Sequence, residues 1–71
     1  MTATPDHMQV FYIDRATGWA AAMFDADEFQ IGEAAFHYRK ADAIRDAKAH
    51  GLPVRVFNAY GEQTREIEAA A

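Results

Sequence analysis

A chain of 71 residues is sized for one domain, and with 51% hydrophobic residues it is too apolar to remain a disordered polypeptide. The absence of cysteine excludes disulfides and thiolate metal sites and fits a reducing cytoplasm. A formal net charge of −4 disfavours direct binding to nucleic acid or to an anionic membrane, and permits a basic protein partner.

Residues 1–7 (Met-Thr-Ala-Thr-Pro-Asp-His) lack a basic segment followed by an apolar one, so they read as a frayed tail and not as a secretory signal. No apolar run approaches the eighteen or so residues that a membrane span needs. A single domain is expected over residues 8–67, with 68–71 fraying at the C-terminus.

Met8 to Arg15 is rich in β-branched and aromatic residues and predicts a strand, with Val10 and Tyr12 on one face and Phe11 and Ile13 on the other. Gly18 supplies a turn, and the chain returns as a second strand from Trp19 to Asp25. That strand is rich in alanine, a poor strand former, so a helix over 19–29 is the competing expectation. Asp25 to Glu33 holds four carboxylates (Asp25, Asp27, Glu28, Glu33) and no basic residue, and predicts a loop or wide turn into a third strand from Ala34 to Tyr38.

From Lys40 to His50, Ala41, Ile44, Ala47 and more loosely Ala43 recur at helical spacing, with Arg39, Lys40, Asp42, Arg45, Asp46 and Lys48 on the polar face. Gly51 and Pro53 stop the helix. Pro53 to Asn58 reads as a strand, Ala59 to Glu62 as a turn, and Gln63 to Ile67 as a closing edge strand. The expected fold is α+β in two layers, β-β-β-α-β-β. It pairs a mostly antiparallel sheet of four or five strands with one helix on one face.

Gly18-Trp19-Ala20, Ala41-Asp42-Ala43-Ile44, Val54-Arg55-Val56-Phe57 and Tyr60-Gly61-Glu62 resemble the core of a family of small bacterial domains of unknown function. That core is built on a Gly-Trp-Ala hairpin, a helix opening Ala-Glu-Ala-Ile and a final hairpin turned at Gly. The resemblance implies the same fold and carries no activity. The alanine-rich second strand and the acidic stretch from Asp25 to Glu33 depart from the family pattern.

Catalytic chemistry has little to draw on. Serine and cysteine are absent, and the four threonines (Thr2, Thr4, Thr17, Thr64) fall in the tail, a turn and an edge strand. His7, His37 and His50 have neither triad order nor metal-ligand spacing, and the acidic stretch does not match a calcium loop. The four glycines serve separate turns, so no phosphate loop forms and no cofactor is expected. The protein is therefore read as a non-catalytic domain.

The remaining argument concerns surface. Nine aromatic residues are spread over both strand faces, and a helix of about eleven residues leaves much of such a sheet uncovered. A partner is expected to complete the burial. The expected partner-binding residues are Asp25, Asp27, Glu28, Glu33, Glu62 and Glu66, with Glu68 beside them, and the sheet aromatics Tyr12 and Trp19. A basic partner, such as a nucleic-acid-binding complex whose groove the carboxylates would block in place of phosphates, is one expectation; a structural homodimer is another. Direct binding of nucleic acid by stacking on Tyr12, Trp19 and Phe57 is the third, and it lacks a basic surround. In size, charge and compactness the chain is similar to small acidic phage-encoded inhibitors, anti-CRISPR proteins among them.

Overall fold

The computed structural model describes residues 4–69. Among these, the order is β1 (His7–Asp14), β2 (Gly18–Phe24), β3 (Gln30–His37), α1 (Lys40–Lys48), β4 (Val54–Phe57) and β5 (Gln63–Ile67). This is an α+β fold. The five strands form one mixed sheet in the order β3-β2-β1-β4-β5. β1–β2, β2–β3 and β4–β5 pair antiparallel, whereas β1 and β4 run parallel, Val10 lying opposite Val56. The parallel pair has a plain cause. β3 and β4 are joined through α1, which crosses the two intervening strands and delivers the chain to the far side of β1.

Alternation along the strands sends Met8, Val10, Ala21, Val54 and Val56 to the side where α1 lies, and these pack with Ala43 and Ala47 into the core. Trp19, Met23, Ile44, Leu52 and Ile67 close its margins. Small side chains on both partners, Ala21 on β2 and Ala43 and Ala47 on α1, let helix and sheet backbones approach closely. The helix stripe differs from expectation at one position: Ala41 is exposed, because 43 and 47 define the buried line and 41 lies off it. The helix ends at the Ala49 C-cap, followed by Gly51 at φ 73°, whose N–H donates to the Lys48 carbonyl.

Several strand ends shift by one residue and α1 stops at Lys48, two residues short of His50; two boundaries matter for the site. The tail expected over 1–7 gives way at His7, which opens β1 and is 2% exposed; residues 1–3 lie outside the described residues. The loop expected over 25–33 ends at Phe29, and Gln30, Ile31, Gly32 and Glu33 belong to β3. The sequence hides this because Gly32 takes φ 74° at a register shift, where Ala21 faces Ala35 but Met23 faces Ile31. A bulge of this kind breaks the alternation by which a strand is read.

Gly18 holds a different constraint. A Cβ there would lie 2.6 Å from the carbonyl oxygens of His37 and Tyr38, so the end of β3 rests directly on the Gly18 backbone, which itself has φ 92°. His37 Nε2 then lies 2.7 Å from Asp46 Oδ2 and ties the end of β3 to α1.

Candidate functional site: the helix-free sheet face

The strand face opposite α1 carries Phe11 and Ile13 from β1, Ala20 and Ala22 from β2, Ala34 and Phe36 from β3, and Arg55 and Phe57 from β4. The alanines of β2 form a low floor between the taller rows on β1 and β3. The result is an open concavity of about 460 Å³ lined by Phe11, Ile13, Ala20, Gln30, Gly32, Glu33, Ala34 and Phe36. Phe36 is 60% exposed and Ile13 41%. The alanine run that weakened the strand assignment of residues 19–25 is thus the feature that shapes this surface.

Toward the other end of the same face the character becomes polar. His7 stacks on Phe24, with ring centroids 5.8 Å apart. Its Nδ1 lies 2.7 Å from Asp6 Oδ2, and its Nε2 2.9 Å from Gln9 Nε2. The carboxylate only accepts and the amide nitrogen only donates, so in this arrangement Nδ1 is the donor and Nε2 the acceptor. Arg55 Nη1 approaches the same Nε2 at 3.5 Å and donates to Glu28 Oε1 at 3.0 Å, while Arg55 Nε lies 3.6 Å from Glu66 Oε1. Every buried side-chain polar atom among the described residues has a partner. The His7 cluster is therefore a satisfied structural network.

The expected partner-binding residues divide into groups. Asp25 Oδ1 accepts the N–H groups of Asp27 and Phe29 and shapes the β2–β3 turn, where Glu28 takes φ 64°. Asp27 is exposed on that turn. Glu28 and Glu66 converge on Arg55, which offsets part of their charge. Glu33 stands at the concavity, and Glu62 is exposed in the β4–β5 turn, its N–H bonded to Asn58 Oδ1.

Tyr12 and Trp19 meet edge to face at 5.3 Å, with Lys40 Nζ 5.2 Å over the indole. They lie on the α1 side, half-buried at the margin of the core, and so are separated from the concavity and from Glu28, Glu33 and Glu66. Phe11, Ile13, Ala34 and Phe36 are the site residues that charge-based reasoning passed over. Their signal was the alternation that places Phe11 with Ile13 and Ala34 with Phe36.

Charge is unevenly divided between α1 and the rest of the chain. Arg39 and α1 contribute four of the seven basic residues and two of the eleven acidic ones, leaving three basic and nine acidic residues for the sheet and its loops. No cluster of three or more metal-ligating side chains occurs among the described residues, and no helix there is long and apolar enough to cross a membrane. Comparison with protein-family models, with curated proteins and with solved structures finds no match.

Proposed function

We propose that this protein is a small acidic, non-catalytic protein-binding module that docks its helix-free sheet face onto a basic partner. In the most concrete form it is an inhibitor that occupies a nucleic-acid-binding surface, as anti-CRISPR proteins do. The observation that carries this reading is the exposed pair Phe36 and Ile13 around an apolar concavity, next to Glu33 and in the part of the chain outside α1, which holds nine of the eleven acidic residues. Apolar area supplies affinity, and carboxylates around it select a cationic surface and speed encounter. Asp27 and Glu33 are better placed for this role than Glu28 and Glu66, which Arg55 already engages.

A homodimer formed through the same face is disfavoured by charge, since a second copy would bring Glu33 and the acidic β2–β3 turn against an equally acidic surface. The test is competition. A partner captured by the protein from a bacterial lysate at low salt is challenged with a DNA or RNA oligonucleotide. Displacement by the oligonucleotide, together with weaker capture by the double variant D27K/E33K, is the expected result. Retention that ignores both sinks the proposal, and a sedimentation mass near twice 7.9 kDa without any partner would favour the homodimer.

A further inference from the structure

The two sheet edges are built differently. β5 is a short edge of five residues, Gln63–Ile67, and carries Arg65 and Glu66. Short length and charge are common devices that keep an edge from pairing with foreign strands. β3, at the opposite edge, has eight residues, Gln30–His37, with Glu33 as its one carboxylate and no lysine, arginine or proline. Among the described residues its hydrogen-bonded neighbour is β2, on one side. The bulge at Gly32 interrupts the register between Ile31 and Ala35 and leaves Ala35, Phe36 and His37 regularly paired with β2, the stretch in which Phe36 borders the apolar concavity. The acidic turn with Asp27 and Glu28 precedes that edge directly.

We propose that β3 is a docking edge for an extended partner segment, added to the sheet as a further strand, with apolar residues at alternate positions and a lysine or arginine pair at one end. This rests on the protein-binding reading above and specifies its mode. Main-chain hydrogen bonds to the free edge supply sequence-independent affinity, and alternate side chains of the incoming strand fall on the face of Phe36 and Ala34. The cationic end lies against Glu33 and the turn at Asp27. Charge complementarity favours this occupant over a second copy of β3, whose own charged residue is again a glutamate.

The probe is a short peptide with valine at alternate positions, threonine between them and two lysines at one end, made in both chain orders and titrated into the full chain by calorimetry and by amide chemical shifts. Binding of either order, with shifts concentrated on residues 33–37, is expected. Methylating two backbone nitrogens of the peptide keeps its side chains but removes edge hydrogen bonds, each contributing on the order of fivefold, and should weaken binding by about tenfold or more. Phe36→Glu and Glu33→Lys should each weaken it in the native-folded protein, Glu33→Lys mainly at low salt. Equal binding of the methylated and unmethylated peptides, or no binding by either order, overturns strand addition. Either result leaves oligonucleotide displacement as the separate test of the basic-partner reading.

Discussion

Replacing Gly18 by alanine tests the tightest contact in the fold. Two effects combine. The residue sits at φ 92°, and forcing an L side chain into left-handed backbone costs roughly 1–2 kcal/mol. The new Cβ would also lie 2.6 Å from two carbonyl oxygens and 2.7 Å from the Tyr38 Cα, all backbone atoms that cannot swing away as a side chain could. Relieving such an overlap shifts the β2–β3 pairing and costs about 1–3 kcal/mol more. Gly61→Ala is the control: its φ is 80°, but nothing lies within 4 Å of the added carbon. Both substitutions reduce the entropy of the unfolded chain alike, so that contribution cancels between them.

Urea unfolding followed by tryptophan fluorescence should therefore place Gly18→Ala at least about 1 kcal/mol below Gly61→Ala. Its own loss should be about 3 kcal/mol, against a total stability on the order of 4–10 kcal/mol for a chain of this length. In thermal melts this is a fall of roughly 10–25 °C. Equal losses in the two variants would refute the steric argument and leave the positive φ as the sole reason for glycine at this position.

Ala47→Leu, at a fully buried position facing the sheet, should cost about 1–3 kcal/mol, whereas Ala41→Leu on the exposed side should stay within about 0.5 kcal/mol; paired urea titrations check both. Arg55→Met removes the contacts to Glu28 and Glu66, both more than half exposed, and should cost at most about 1 kcal/mol, with the difference from the parent shrinking in high salt. The N–H of Thr17, 2.6 Å from Asp14 Oδ1, together with the Thr17 hydroxyl, holds the Asp14 carboxyl below its ordinary value of 3.8. Because the folded-state value is the lowered one, the associated stabilisation is present above the unfolded-state value and is lost as pH falls through the folded one. A carboxyl-carbon NMR titration should show Asp14 titrating below 3.8, with Thr17→Ala moving it only part of the way back because the backbone donor remains.

Local patterns carried much of this structure. β5 spans Gln63–Ile67 as its sequence predicts, and the helix starts at Lys40 as its periodicity predicts, although it ends at Lys48, two residues before the expected His50. The alternation of Val10 against Phe11 and of Ala34 with Phe36 assigned sheet faces without any knowledge of strand order. What the chain could not disclose locally was pairing. β1 becomes the central strand, flanked by β2 and by the parallel β4, because α1 carries the chain across two strands before β4 is laid down. His7 looked like part of a tail and is buried, since its partners Phe24 and Arg55 come from distant parts of the sequence. The acidic residues appeared equivalent by composition, yet Arg55 engages Glu28 and Glu66, and Glu33 stands on the concavity. Secondary structure follows the periodicity of neighbouring side chains and so is written along the chain. Strand order, charge pairing and the hollow between Phe11 and Phe36 depend on contacts between distant residues, and only the folded molecule sets them.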